Sequence, residues 1–237
     1  MKRKFQHIAY LLMVAAVITS CGEKKQTSEF PDWAWADFQR PEGINPIVSP
    51  DTTTVFYCPM RQDSVAWESS DTFNPAATIY DGKVVVLYRA EDNSAVGIGS
   101  RTSRLGYAYS DDGLHFNRMT VPVFYPADDN QKELEWPGGC EDPRVAVTDD
   151  GLYVMLYTQW NRKQARLAVA TSRDLQIWEK YGPAFAKAYG GRFFDEFSKS
   201  ASIVTKLVDG KQVIAKIDGK YWMYWGCLLY TSPSPRD

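Results

Sequence analysis

Arg104-Leu-Gly-Tyr-Ala-Tyr-Ser-Asp-Asp-Gly-Leu-His-Phe-Asn-Arg118 and Arg166-Leu-Ala-Val-Ala-Thr-Ser-Arg-Asp-Leu-Gln-Ile-Trp-Glu-Lys180 are two copies of one pattern. Both read Arg-Leu-x-x-Ala-x-Ser-x-Asp, then three residues, an aromatic and a basic residue, at an offset of 62 (104 to 166). Upstream of each lies another matching piece: Asp81-Gly-Lys-Val-Val-Val-Leu-Tyr88 pairs with Asp150-Gly-Leu-Tyr-Val-Met-Leu-Tyr157. A third copy, Asp218-Gly-Lys-Tyr-Trp-Met-Tyr224, follows at nearly the same spacing. A repeat of ~60 to 70 residues built from short apolar runs and Asp-Gly turns is the signature of β-propeller blades. The expected inner strands are 73–80, 144–148 and 201–206. The next strand follows the Asp-Gly turn, the third carries Arg-Leu-x-x-Ala, and the fourth carries the Phe or Trp. The runs alternate poorly because a blade packed between neighbours buries both faces. Two blades, the start of a third and an N-terminal segment (31–68) cannot close a ring of four to eight. Exposed blade faces and edges therefore predict an unstable or insoluble fragment.

The two ends read differently. Residues 1–21 combine Lys2, Arg3 and Lys4 with an apolar run from Ile8 to Ile18, then Thr19, Ser20 and Cys21. This is a secretory leader, too short to span a membrane. Small residues directly before a cysteine resemble a lipoprotein cleavage box. The expected mature chain is exported, lipidated on Cys21, and anchored to a bacterial outer membrane facing the periplasm or cell surface. Residues 22–40 form a polar tether and entry segment. Residues 227–237, Cys-Leu-Leu-Tyr-Thr-Ser-Pro-Ser-Pro-Arg-Asp, read as a translated sequencing adapter rather than native chain. That leaves 41–226 as a partial β-propeller domain.

Twenty-seven basic against 29 acidic residues give no reason to expect nucleic acid. Aromatics make up 14% of the chain, a richness that suits an exported carbohydrate-handling protein. His7 lies in the leader and His115 in a turn. A histidine metal site or a Ser-His-Asp triad is therefore not expected, and no cofactor or metal is called for. Cys58 and Cys140 lack metal-ligand spacing, and a disulfide between them stays open.

The chemistry concentrates in Glu135-Trp-Pro-Gly-Gly-Cys-Glu-Asp-Pro-Arg-Val-Ala-Val147. A tight turn delivers two adjacent carboxylates to the head of a strand. By period 2, Asp142 rather than Glu141 shares a face with Arg144; the bland alternative is a surface ion pair pinning the turn. Aligned on their turns, the blades bring Asn74, Asp142 and Lys199 to comparable positions at the heads of the inner strands. Scaffold positions repeat their residue type, so three different polar residues at one position point to a site. The second strands end in Tyr88-Arg-Ala-Glu-Asp92 and Tyr157-Thr-Gln-Trp-Asn-Arg162, which would rim the same funnel. Solvated loop charge is the competing reading of Arg89, Glu91 and Asp92. Gly97-Ile-Gly-Ser-Arg101 lacks the strand-to-helix context of a phosphate loop. A funnel of carboxylates, Arg, Asn and Trp160 suits sugars.

Phe73-Asn-Pro-Ala-Ala-Thr-Ile-Tyr-Asp-Gly-Lys83, Leu87-Tyr-Arg-Ala-Glu-Asp92, Thr102-Ser-Arg-Leu-Gly106, Gly138-Gly-Cys-Glu-Asp-Pro-Arg144 and Ser198-Lys-Ser200 together resemble glycoside hydrolase family 130. The resemblance covers residues 41–226. It implies a five-bladed β-propeller acting on an oligosaccharide, a β-mannoside. Some members are phosphorylases releasing α-mannose 1-phosphate; others are inverting hydrolases of β-1,2-linked mannosides. It further implies that Asp142 is the proton donor, in phosphorylases acting through a substrate hydroxyl. Asn74, Arg89, Asp92 and Arg104 would hold the mannosyl unit. A neighbouring Arg144 should keep Asp142 ionised, whereas a general acid needs its proton; either Arg144 turns toward sugar or phosphate, or Glu141 shares the task. Arg144, Arg162, Lys163 and Lys199 are candidates for binding inorganic phosphate, the co-substrate of a phosphorylase. Asp195 and Glu196 are candidates for the second carboxylate. Export favours hydrolysis, because a sugar phosphate made outside the inner membrane conserves energy where it is of little use. An inactive glycan-binding lipoprotein is the remaining reading.

Overall fold

The computed structural model describes residues 40–227. The leader, Cys21, most of the tether and residues 228–237 lie outside the described residues. The chain divides into two units, Met1–Glu42 and Gly43–Asp237, and the described strands all lie in the second.

Among the described residues this second unit is all-β apart from one short helix and one 3-10 turn. A small hairpin, β1 (Phe56–Cys58) and β2 (Asp63–Val65), precedes two antiparallel meanders of four strands each. The first runs β3 (Asp71–Tyr80), β4 (Lys83–Glu91), β5 (Ser103–Ser110) and β6 (Asn117–Arg118). Helix α1 (Lys132–Glu135) leads into the second, β7 (Gly139–Val147), β8 (Tyr153–Trp160), β9 (Ala165–Ser172) and β10 (Glu179–Pro183). A parallel bridge from Ser103 to Gly139 joins the two. These two four-stranded units have the strand order that the repeat predicts. Phe116 and Trp178 fall just ahead of their fourth strands rather than within them.

The repeated Ser-x-Asp is turn scaffold. Asp112 Oδ1 accepts from the backbone N–H groups of Leu114 and His115, and Ser110 Oγ from that of Gly113. Asp174 and Ser172 do the same for Gln176, Ile177 and Leu175. The repeated Leu and Ala are core: Leu105, Leu167, Ala108 and Ala170 are buried to 1% exposure or less. One apolar cluster, including Val85, Leu105, Phe124, Val145, Met155 and Tyr157, fills the space between the meanders.

The third repeat departs from expectation. Its inner strand β11 spans Ser198–Ile203, not 201–206. Two short hairpins intervene, β12 (Thr205–Val208) with β13 (Lys211–Ile214), and β14 (Lys216–Ile217) with β15 (Lys220–Tyr221). Only then does β16 (Met223–Cys227) return to pair with β11. Asp209-Gly210 supplies an extra turn that the even spacing of the repeats conceals, and both of its residues have positive φ (48° and 75°). Cys58 and Cys140 are both free and buried, so the pairing left open by the sequence is not made.

Candidate active site

Each inner strand is broken by a bulge at the same place. The register slips between Phe73 and Ala76, between Glu141 and Arg144, and between Lys199 and Ser202. One residue in each bulge takes left-handed backbone: Asn74 (φ 45°), Asp142 (φ 52°) and Ser200 (φ 50°). Such a bulge bends the strand and re-aims a side chain, and Asn and Asp tolerate the conformation better than most residues. The structural equivalent of Asn74 and Asp142 is therefore Ser200, not Lys199. Lys199 is equivalent to Phe73 and Glu141.

The bulge also undoes the period-2 argument. Arg144 does not join Asp142; it is exposed, and its Nη1 donates to the carbonyl of Pro143 at 2.7 Å. The guanidinium that meets Asp142 is Arg89, from β4 of the preceding repeat, with Nη1 3.1 Å from Oδ1. Arg89 is 3% exposed. Its Nη2 reaches Glu91 Oε1 at 2.6 Å and Glu141 Oε1 at 2.9 Å, and its Nε donates to Ser103 Oγ at 3.0 Å. Asn74 Nδ2 donates to the same Asp142 Oδ1 at 2.9 Å. Lys199, half-buried, closes the cluster from the third repeat, with Nζ 2.8 Å from Glu141 Oε2 and 3.7 Å from Asp142 Oδ2. Three repeats thus contribute to one cluster.

Its electrostatics separate the two adjacent carboxyls. Burial pushes Asp142 up, but the Asn74 hydrogen bond and the Arg89 and Lys199 charges outweigh it and hold the carboxyl below its ordinary value. For Glu141 burial wins over Arg89 and Lys199, and the neighbouring Asp142 charge adds to it, so that carboxyl lies above its ordinary value. Burial works against the Arg89 cation, yet Glu141, Asp142 and Glu91 together keep it charged. Asp142 is the most exposed of the three carboxylates, at 8% against 2% for Glu141 and 0% for Glu91. Both of its hydrogen bonds fall on Oδ1, so Oδ2 is the oxygen left for proton exchange with a ligand.

The other expected residues are distributed around this cluster. Asp92 and Arg104 form a separate pair at 2.8 Å, 1% and 0% exposed, underneath the surface. Arg104 occupies the repeat position of Arg166, which likewise pairs with an aspartate, Asp195, at 2.8 Å. Trp160 ends β8, its indole donating to the Gly99 carbonyl at 2.7 Å and its ring edge-on to Phe197. Arg162 and Lys163 are exposed in the β8–β9 turn. Asp195 is committed to Arg166, and no ion pair joins Glu196 to the cluster among the described residues. Glu91, which the sequence offers only as part of the charged run at the end of the second strand, is buried in the cluster, and Ser103 is a member that the sequence does not mark; its place on the strand end beside Arg89 is the available signal. Among the described residues, no group of three His, Cys, Asp or Glu could hold a metal ion.

The Pro137-Gly138-Gly139 turn is held by close approach. Gly139 has φ +118°, and a Cβ there would lie 2.2 Å from the Ser103 carbonyl oxygen. The strand carrying Asp142 can therefore start against β5 only with glycine at this point.

A solved structure from Bacteroides thetaiotaomicron VPI-5482 is 99% identical, with a TM-score of 0.81 over 84% of this chain and 57% of that one. A second, 70% identical, has a TM-score of 0.81 over 83% of this chain and 55% of its own. It comes from work reporting that the GH130 family of mannoside phosphorylases contains glycoside hydrolases targeting β-1,2 mannosidic linkages in Candida mannan. The 1,2-β-oligomannan phosphorylase of Thermoanaerobacter sp. (strain X514) is 36% identical over 152 residues, 62% of this chain and 46% of that protein. The chain spans about half the length of the curated relatives it matches. The profile of glycoside hydrolase family 130, described as β-1,4-mannooligosaccharide phosphorylase, matches residues 39–233, and with that span the chain belongs to glycoside hydrolase family 130.

Proposed function

We propose that the protein is a β-mannoside hydrolase that acts with inversion, on β-1,2-linked mannooligosaccharides, with Asp142 as proton donor. The observation that carries this reading is the asymmetric load on Asp142: Oδ1 is occupied by Asn74 and Arg89, and Oδ2 is left toward the ligand. In the step, the Oδ2 proton passes to the glycosidic oxygen as the C1–O bond breaks. Water attacks C1 from the opposite face and gives its proton to a second carboxylate. Arg89 and Lys199 keep Asp142 low in the empty site. A bound sugar removes the remaining solvent from the carboxyl and raises it toward the protonated form that a donor needs. Asn74 and Arg89 hold the mannosyl unit, Trp160 offers it a rim, and Asp92 and Arg104 support the strand ends from beneath. The domain is part of a five-bladed propeller, exported and lipid-anchored through Cys21.

Hydrolysis is favoured over phosphorolysis by the state of the basic residues. Arg144 faces away, Arg162 and Lys163 stand in an exposed turn, and Lys199 is already engaged by Glu141. The 70% identical structure, from the work on β-1,2-mannosidic hydrolases, points the same way. One observation supports the alternative phosphorylase: Lys199 Nζ, 3.7 Å from Asp142 Oδ2, is a cation beside the reacting oxygen, where a phosphate could be recruited. The test is to follow β-1,2-mannobiose by proton NMR with the full-length protein, with and without inorganic phosphate. Release of α-mannose without phosphate is the expected result. Turnover only with phosphate, yielding α-mannose 1-phosphate, overturns hydrolysis; sugar binding with no turnover in either case leaves a glycan-binding protein.

A further inference from the structure

Glu91 is fully buried and lies two residues beyond Arg89 on β4, yet the proposed chemistry does not use it. Its Oε1 accepts from Arg89 Nη2 at 2.6 Å and from Ser103 Oγ at 3.1 Å. Its Oε2 accepts no hydrogen bond, and Arg101 Nη1 lies 3.6 Å from it. Arg101 belongs to the 92–102 loop and is itself held by Asp71. A buried carboxylate oxygen without a hydrogen bond is costly, and the Arg89 and Arg101 charges are what offset it.

We propose that Glu91 is a positioning residue that fixes the Arg89 fork, so that Nη1 is presented to Asp142 Oδ1 while Nη2 is retained on the carboxylates behind it. Arg89 has one face over the Phe73 ring, its Cζ 4.6 Å from the centroid, which sets its plane but not its rotation in that plane. Rotation is set by the three groups at its edge. Ser103 fixes Nε, and Glu91 and Glu141 share Nη2. Glu141 is also held by Lys199 from another repeat, so Glu91 is the anchor on Arg89's own strand. Arg101 extends the chain outward, linking the loop at the rim to the arginine at the centre. The inference rests on the proposed role of Asp142 as donor.

The charged and polar groups facing Asp142 are Asn74 from β3, Arg89 from β4, the neighbouring Glu141 on β7 and Lys199 from β11, with Glu91 and Arg101 behind Arg89. Neutralising Glu91 releases one hold on Nη2, so the Arg89 fork can turn and its Nη1 draws back from Asp142 Oδ1. Glu91→Gln keeps the shape and one acceptor oxygen. In the full-length protein it should lower kcat/KM roughly tenfold or more, since small misplacements of a clamp are expensive. It should also move the high-pH limb of the rate profile to higher pH, because a displaced Arg89 no longer holds the Asp142 carboxyl down. Arg101→Gln, which leaves Arg89 and its Ser103, Glu91 and Glu141 partners in place, serves as a second variant and should move the limb far less than Glu91→Gln does.

A carboxyl ¹³C titration of Asp142, assigned with Asp142→Asn, reads the same effect without turnover. The expected result is a higher midpoint in Glu91→Gln; a lower one, which removal of the Glu91 charge alone would give, overturns the proposal. An unchanged midpoint overturns the proposal, even if activity falls, because a merely structural role lowers activity and melting temperature without moving that titration. If the full-length protein turns over no β-mannoside, the donor reading fails instead, and the titration still decides the role of Glu91.

Discussion

Asn74 and Asp142 stand at the same bulge of successive inner strands, and the first donates to the second across the repeat boundary, Nδ2 to Oδ1, at 2.9 Å. Each has left-handed backbone, which turns the side chain out of the strand's regular alternation. The repeat thus produces a pair in which one copy is the proposed acid and the other its hydrogen-bond donor.

Removing that donor has a defined sign. Asn74→Ala deletes a hydrogen bond to the ionised form of Asp142, so burial is less opposed and the carboxyl rises. The high-pH limb of the rate profile should move to higher pH. A hydrogen bond to a charged group contributes about 1.5–3 kcal/mol, so kcat/KM should fall by roughly ten- to a hundredfold if Asn74 also contacts the sugar. A pH series of initial rates on β-1,2-mannobiose checks both. A limb that stays in place would separate Asn74 from the acid.

Asp142→Asn should lower kcat by about 10² to 10⁴, the range for loss of a general acid, while the protein still binds mannooligosaccharide. The amide keeps an acceptor at the Oδ1 position for Arg89 and Asn74, so the melting temperature should change little. Calorimetric titration with the substrate and a thermal melt distinguish this from unfolding. Near-parental turnover would remove Asp142 from the donor role.

Asp92→Asn tests the other pair. Arg104 is 0% exposed, and its ion-pair partner is Asp92 at 2.8 Å. Breaking a buried pair by removing one partner costs about 3–5 kcal/mol. Burial pushes Asp92 up, but Arg104 and the Ser94 contacts outweigh it, and the folded-state carboxyl lies below its ordinary value. Its contribution is therefore complete above the ordinary carboxylate pKa and is lost as the pH falls through the folded-state value. Denaturant melts of parent and variant at neutral and acid pH should show a gap that narrows on acidification. If Asp92 and Arg104 serve the sugar rather than the fold, the variant instead loses affinity at unchanged stability.

The repeat makes much of this legible. Residues that recur, Leu105 with Leu167 and Ser110 with Ser172, have the same task in both copies, core in one case and turn cap in the other. Arg104 recurs as Arg166, and each is paired with an aspartate. What periodicity does not show is the bulge. A single extra residue reverses which side chains share a face, so strict alternation pairs Arg144 with Asp142, while Arg89, distant in sequence, is the residue that holds it. Lys199 misses the Asn74 and Asp142 position by one residue for the same reason. The Asp209-Gly210 insertion is hidden because 204–222 folds into small hairpins whose length preserves the overall spacing.

Gly139 is where the scaffold and the site meet. A Cβ on it would approach the Ser103 carbonyl oxygen to 2.2 Å and the Ser103 nitrogen to 2.5 Å, both backbone atoms that cannot step aside without moving β5. Ser103 in turn supplies the hydroxyl that holds Arg89 Nε. Gly139→Ala should therefore separate β5 from β7, shift Arg89 relative to Asp142, and lose activity by more than its effect on stability predicts. Gly151 is the control. It also has positive φ, at 82°, but nothing lies within 4 Å of its would-be Cβ. Gly151→Ala should cost only the left-handed backbone penalty, about 1–2 kcal/mol, and leave kcat/KM unchanged. Thermal melts and initial rates on both variants decide the matter. If Gly151→Ala loses as much activity as Gly139→Ala, general destabilisation explains both, and the close approach at Ser103 does not set the geometry of the acid.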